Sequence, residues 1–375
     1  MGLENYPLIS IVIPYYNPRF DYFKQAIESV LAQSYVNWEA IIVNDGSSSE
    51  SKRFLEEHID KLNEKRISIH CLEKNHGPSV AKNIGVEKSK GEIITFLDTD
   101  DIHLPWLYKE TTDFFNKNPD SSILAFQELF FVCMWNIRKI CLHLPFQPFI
   151  NKINGSDTTE PANKKYKTFL LTTTPRLAFR KAVFKKIKFD PEIIIIEDTD
   201  LCLQIINNND LLEQLLATPI PGYLYRIYPS QNRLTHRYEL RLKKMKEIII
   251  KYKDSECMAK VVLDELQNKI DDWKFCGLIA CYLNNGSFSD YLKETFLRFP
   301  SNKDRLESIR FFLTQLVVPK FLINTVGVNS AYIKTLLSNK KNNYRELKQI
   351  FLKHLENDTD LNTKHHLTKI FESVF

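Results

Sequence analysis

The sequence predicts an α/β protein, a mostly parallel sheet flanked by helices, with an all-helical C-terminal extension. Three observations carry this. Through roughly the first hundred residues, apolar runs of strand length alternate with helical patterns. Those runs are near-continuous in Ile and Val rather than alternating apolar with polar, as strands covered on both faces read. Beyond about residue 236 strand signals give way to helical patterns such as YELRLKKMKEIIIKY and ELKQIFLKHLE.

The elements follow in chain order as LISIVIP (8–14), a helical stretch from Phe20 to Gln33, EAIIVND (39–45), a second stretch from Ser51 to Leu62, ISIHCL (67–72), a third from Ser79 to Ser89, and EIITFLD (92–98). This βαβαβαβ order implies parallel neighbours, because each helical crossover returns the chain to the same end of the sheet. Asn17 followed by Pro18 suits an N-cap and first helical residue, and Phe23, Ala26, Ile27, Val30 and Leu31 then share one helix face. SSILAFQELFFVCMW (121–135) fits another strand or a buried helix, and NKINGSDTTEPANKK (151–165) reads as a long, mobile polar loop. Order returns over 168–206, where Glu197 and Asp198 open a helix carrying Leu201, Leu203, Ile205 and Ile206, with Asp200 favouring its positive start. The expected domains are 1–236 and 237–375.

Composition bounds the class. The chain has 375 residues, 43% of them apolar and 26% charged, with a formal net charge of +5, which fits a globular protein and does not call for nucleic acid. Seven cysteines without paired CxxC spacing read as a reduced, cytoplasmic protein. No apolar run reaches the roughly 18 uncharged residues of a membrane span. The run IRFFLTQLVVPKFLINTVGV (309–328) reads as core first and as a membrane-surface or partner-binding segment second.

The chemistry concentrates where the predicted strands end: PYYN, NDGSS, NHGPS and FLDTDD follow the four strands in turn. In doubly wound sheets ligands bind beyond the carboxyl ends of the strands, so these four loops point to one cleft. Neither GxGxxG nor GxxxxGK[ST] follows the first strand, where Pro14, Tyr15, Tyr16 and Asn17 stand, which excludes a dinucleotide fingerprint and a P-loop. An EF-hand fails as well, because His103 and Lys109 occupy the positions that need Gly and Glu. Three carboxylates within four residues, Asp98, Asp100 and Asp101, repel one another unless a cation offsets them. Asp98 and Asp100 suit a divalent metal that neutralises phosphates, and Asp101 suits a cap on the following helix.

The segments ISIVIPYYN, WEAIIVNDGSS, NHGPSVAKNIG, GEIITFLDTDD and IIEDTDLCLQI, in this order, resemble the family 2 glycosyltransferases over roughly residues 7–235. The resemblance implies a GT-A type, Rossmann-like fold and an inverting, metal-dependent enzyme using a nucleotide sugar, most often a UDP-sugar. It implies that Pro14, Tyr16 and Asn17 line the nucleotide pocket, that Asp45 accepts a hydrogen bond from uracil, and that Asn75, Gly77 and Pro78 border nucleotide and sugar, with Asn83 supporting their loop. Asp98 and Asp100 stand at the DxD positions, for ribose and a metal-bound diphosphate (Mn²⁺ or Mg²⁺), and Arg226 is a diphosphate contact. Asp198 matches the general base, with Glu197 positioning the acceptor or tuning it. Tyr228 stands where a metal-binding His is frequent, and Lys82 where Arg is common.

The expected activity is transfer of a sugar from a UDP-sugar to a hydroxyl of a glycan or lipid-linked acceptor, in cell-surface polysaccharide or lipopolysaccharide synthesis. The protein would be cytoplasmic or peripheral at the inner face of the membrane, its C-terminal helices open to membrane-surface contact or homo-oligomer formation. The competing expectation is a catalytically inactive nucleotide-sugar-binding or scaffold protein acting through the helical extension.

Overall fold

The computed structural model describes residues 6–134, 137–142, 173–227 and 238–253. Four strands, β1 (Ile9–Tyr15), β2 (Trp38–Asp45), β3 (Ile67–Leu72) and β4 (Ile93–Phe96), are joined by helices α1 (Phe20–Leu31), α2 (Ser49–Leu62) and α3 (Pro78–Lys88). β1 lies between β2 and β4 and pairs in parallel with both, and β3 pairs in parallel with β2. This half of the sheet is the predicted one. Its helix ends follow local chemistry: Ser48 caps α2 by accepting from Ser51 N, Asn63 closes it in the left-handed conformation, and Gly77 with Pro78 opens α3.

The other half is β5 (Ile102–His103), α4 (Leu107–Lys117), β6 (Ile123–Met134), β7 (Ile137–Leu142), β8 (Leu177–Arg180), α5 (Glu197–Ile206), α6 (Asn209–Glu213) and β9 (Leu215–Ile227). The ambiguous run 121–135 is therefore mainly a strand. The sheet order is β3-β2-β1-β4-β8-β6-β9-β5, with β7 beside β6. β8 runs antiparallel to both β4 and β6, whereas β9 runs parallel to β6. The long loop 151–165 and the segments carrying Tyr228 and 309–328 lie outside the described residues.

Alternation along the strands divides the core into two layers. Ile9, Ile11 and Ile13 face α1, α2 and α4 in one buried cluster, while Val12, Ile94 and Phe96 face α5, α6 and helix α7 (Tyr238–Tyr252) in the other. Met245, Ile248 and Tyr252 of α7 belong to that second cluster, so the first helix beyond residue 236 packs its apolar side on the sheet domain and turns Lys243 and Lys246 outward. No helix among the described residues is long and apolar enough to cross a membrane.

Asn17 does not cap α1. The helix starts at Phe20 with Arg19 at its N-cap, and Asn17, at φ 43°, bridges instead to the loop after β2. Asp101 is no helix cap either: it is fully buried, and its carboxylate accepts from Arg226 N at 2.7 Å and from the Tyr223 hydroxyl.

His103 is fully buried between the Tyr108 hydroxyl and the Phe96 carbonyl, both at 3.0 Å. Burial, only partly opposed by the Phe96 carbonyl, pushes its pKa down to about 3. The unfolded chain binds a proton below about pH 6.5 that the folded chain refuses, so stability falls as pH drops from about 6.5 toward 3, by up to about 1.4 kcal/mol per pH unit from this group. Urea unfolding at pH 7 and pH 5 should show the loss, and His103→Asn should flatten that part of the profile.

Candidate active site

The cleft is assembled from loops at the carboxyl ends of β1, β2, β3 and β4 and from the N-terminus of α5. The first three loops are joined in series by hydrogen bonds. Asn17 Oδ1 accepts from Ser48 N at 2.9 Å and Asn17 N donates to Ser47 Oγ at 3.1 Å, which joins the loops after β1 and β2. The Asp45 carboxylate accepts from His76 N and Gly77 N, each at 2.8 Å, which joins the loops after β2 and β3. Asp45 is thus a brace between two loops, with one N–H on each carboxylate oxygen and the side chain nearly enclosed. Gly46, at φ 65°, sits under that brace, and a Cβ there would lie 2.2 Å from the Lys74 carbonyl carbon.

Tyr16 is exposed on the same rim, as are Asn17, Asn75 and His76, while Pro14 and Pro78 are half-buried and Gly77 is buried. Asn83 points elsewhere. Its amide donates to Phe189 O at 2.7 Å and its oxygen accepts from Phe189 N at 3.1 Å, so it holds the segment leading into α5 rather than the nucleotide loop.

The acidic run after β4 is divided by burial. Asp98 and Asp100 remain partly open, and Asp101 is sealed beneath them. Arg226, also buried, donates from Nε to the Asp100 carbonyl at 2.6 Å and from Nη2 to Gln25 Oε1 at 2.9 Å, and lies 4.3 Å from the Tyr22 ring centroid. These bonds support the backbone of the Asp100 loop. Desolvation, opposed by Lys82 and reinforced by Asp198, Asp100 and Glu197, pushes the Asp98 pKa up to about 7. Burial and the neighbouring Asp100 and Asp98 likewise raise Asp101, against its hydrogen bonds from Arg226 and Tyr223.

On the other side stand Glu197 and Asp198, in the first turn of α5. Lys82 of α3, 1% exposed, donates to Glu197 Oε1 at 2.8 Å, to Asp198 Oδ1 at 3.1 Å and to Thr174 Oγ1 at 3.0 Å. Burial opposes its charge, but Asp198, Glu197 and Asp98 together outweigh that and raise its pKa. Burial raises the Glu197 pKa as well, with Lys82 opposing and Asp198 adding to it. Asp200, expected to serve the helix dipole, is instead buried and accepts from Lys251, Tyr252 and Gln204, which ties α5 to α7. Arg176 forms a buried pair with Glu128 at 3.5 Å, whereas Arg180 donates to the carbonyls of Ser121 and Phe115.

The donor set suits a divalent cation. Among the described residues no three His, Cys, Asp or Glu side chains gather with metal-binding geometry. Asp98 and Asp100 could hold a Mg²⁺- or Mn²⁺-type ion that completes its shell with phosphate oxygens and water, its charge offsetting the burial and acidic neighbours that disfavour ionisation of Asp98. Tyr228, at the position where a metal-binding His is frequent, lies outside the described residues.

Sequence reasoning missed Thr174, Tyr223 and Gln25. Thr174 lies in a short 3-10 turn before β8, and nothing in its neighbourhood TTTPR marks it as a partner of Asp198.

This layout, with acidic loops at the carboxyl ends of a mostly parallel sheet closed by antiparallel β8, is the GT-A architecture. It is shared with the mannosyltransferase PcManGT from Pyrobaculum calidifontis in complex with GDP-Man and Mn²⁺ (TM-score 0.51, 12% identity, 90% of this chain and 89% of that one). It is shared also with S. aureus TarS 1–349 in complex with UDP-GlcNAc (TM-score 0.50, 18% identity, 76% and 78%). Residues 10–188 match the family model described as "Glycosyl transferase family 2", and the likeness to that family is a likeness of this segment. An uncharacterized glycosyltransferase of Haemophilus influenzae is 47% identical over 97 residues, 26% of this chain and 38% of its own length. Bacillus subtilis TuaG, named for teichuronic acid biosynthesis, is 42% identical over 95 residues, 25% and 36%. The matched part spans little more than a third of these two relatives. A Methanocaldococcus jannaschii glycosyltransferase, MJ1057, is 29% identical over 249 residues, 64% and 81%.

Proposed function

We propose that the protein is an inverting glycosyltransferase that moves a sugar from a UDP-sugar to a hydroxyl of a glycan or lipid-linked acceptor in cell-surface polysaccharide assembly. The observation that carries this reading is that Lys82 bonds Glu197 and Asp198 on one side and feels the charge of Asp98, itself beside Asp100, on the other: two acidic groups with different tasks. One carboxylate cluster cannot both stabilise a departing diphosphate and deprotonate an acceptor, because inversion puts the two events on opposite faces of the anomeric carbon.

Asp98 and Asp100 would hold the divalent ion, Mn²⁺ or Mg²⁺, and a bound ion supplies neutralisation of the charge that builds on the leaving UDP. The Asp198 carboxylate takes the proton of the acceptor hydroxyl while that oxygen forms its bond to the anomeric carbon. The bond from that carbon to the β-phosphate oxygen breaks with inversion. Glu197, beside it, orients the acceptor. Tyr16 is an exposed ring for the base to rest on, and Asp45 with Gly46 sets the spacing of the two loops that border it. The fold by itself does not choose the base, since it accommodates UDP-GlcNAc in TarS and GDP-Man in PcManGT. The UDP preference rests on the resemblance at Asp45, and the polysaccharide role is supported by the likeness to TuaG.

Calorimetric titration of UDP, GDP and CMP, with Mn²⁺ and again with EDTA, tests the donor half. UDP should bind at least about tenfold more tightly than the others, a difference of about 1.4 kcal/mol, and EDTA should abolish the binding. Selection of GDP would transfer the proposal to a GDP-sugar. Binding of none of the three would remove the donor site.

A further inference from the structure

We propose that Lys82 and Thr174 are positioning residues that orient the Asp198 carboxylate, an inference that rests on Asp198 being the base. Both hydrogen bonds that described residues make to this carboxylate fall on the same oxygen. Thr174 Oγ1 donates to Asp198 Oδ1 at 2.7 Å and Lys82 Nζ donates to it at 3.1 Å, while Lys82 also donates to Thr174 Oγ1 at 3.0 Å. The triangle anchors Oδ1 and leaves Oδ2, on a side chain 21% exposed, as the oxygen available to a hydroxyl. The ammonium has three protons, and Glu197, Asp198 and Thr174 take all three.

The three anchors come from different elements: Lys82 from α3, Thr174 from the turn Thr174–Arg176 before β8, and Asp198 from α5. α3 is built for this. Ser79, Lys82 and Asn83, at i, i+3 and i+4 on one helix face, all bind the segment that delivers α5. Ser79 donates to Ile193 O at 2.6 Å, Asn83 clasps the Phe189 backbone, and Lys82 reaches Glu197 and Asp198. Ile196, immediately before Glu197, is held at φ 61°, a conformation that a β-branched residue leaves unless its surroundings impose it. A buried ion pair is weak as a source of stability, and an apolar pair of the same shape frequently serves as well. What this pair adds is a fixed direction for one carboxylate oxygen.

The test uses the full chain and four variants, Thr174→Val, Thr174→Ser, Lys82→Arg and Lys82→Met, with Asp198→Asn as reference. UDP release from UDP-glucose and UDP-N-acetylglucosamine with water as acceptor gives kcat and KM. Mn²⁺-dependent UDP binding and thermal unfolding report on the donor site and the fold. Valine keeps the shape of threonine and removes one donor to a charged group, so Thr174→Val should lose about 10- to 100-fold in kcat with KM, UDP affinity and melting temperature held. Thr174→Ser should restore most of the rate, and Lys82→Arg should retain more of it than Lys82→Met.

A Thr174→Val chain with native kcat, beside an inactive Asp198→Asn, overturns the positioning role and leaves the base in place. Equal activity of Asp198→Asn and the native chain overturns the base itself. Parallel loss of UDP binding and melting temperature in Thr174→Val makes the residue structural and overturns the inference. If water is too poor an acceptor for the native chain, crystal structures of the native and Thr174→Val chains decide: a rotated Asp198 carboxylate supports the inference, and an unmoved one overturns it.

Discussion

Asp198→Asn is expected to lower transfer by about 10²- to 10⁴-fold while UDP binding in the presence of Mn²⁺ stays at its native value. Asparagine keeps the volume of aspartate and an oxygen that accepts from Thr174 and Lys82, so the triangle of contacts at Oδ1 can persist. What it loses is the capacity to accept a proton from a hydroxyl. Asp98 and Asp100 at the end of β4 keep their own side chains, and the lost charge only removes one of the acids that disfavour ionisation of Asp98. The measurement is paired: initial transfer rate from the UDP-sugar and calorimetric UDP affinity on the same preparation. A rate within a few fold of native would assign the base elsewhere, with Glu197, which shares Lys82, as the next residue to replace.

Gly46→Ala should damage the donor site as severely by a different route. The glycine is at φ 65°, where a side chain costs about 1–2 kcal/mol before any contact is counted. A Cβ would also stand 2.2 Å from the Lys74 carbonyl carbon and 2.5 Å from Asn75 N, both backbone atoms that yield only if the loop after β3 moves. That movement breaks the Asp45 bonds to His76 and Gly77, which set the spacing of the two loops of the proposed nucleotide site. The expected outcome is a loss of about 3 kcal/mol or more in urea unfolding, with UDP affinity reduced by about tenfold or more. An alanine variant that binds UDP normally would show that these loops do not frame the nucleotide.

Much of this was legible beforehand. The runs ISIVIP, EAIIVND and EIITFLD are apolar on both faces because α1, α2 and α4 cover one side of the sheet and α3, α5, α6 and α7 the other, whereas ISIHCL, the edge strand, is covered only in part. The acidic loop after β4 and the pair opening α5 were legible for a related reason: charge at the end of an apolar run has few structural uses. Asn17 was misread because Asn-Pro before an amphipathic stretch is a sound capping signal, and its actual partner, Ser48, lies across the sheet end. Asp101 and Asp200 look like their acidic neighbours in sequence, yet each is sealed by a distant tyrosine, Tyr223 and Tyr252 respectively.

Local periodicity and residue types at short spacing carry the parallel half of the sheet, the likeness of residues 10–188 to the glycosyltransferases and the acidic loops. Only the tertiary structure decided which acid faces solvent, which is braced and which is buried. It also decided that Lys82 and Thr174 meet Asp198, that Asn83 holds the segment before α5, and that Arg226 donates to the Asp100 carbonyl. Each of those outcomes is a pairing across many residues of chain. A side chain's neighbours in sequence set which face of an element it occupies, but the partner that neutralises or orients it is supplied by whichever element packs against that face.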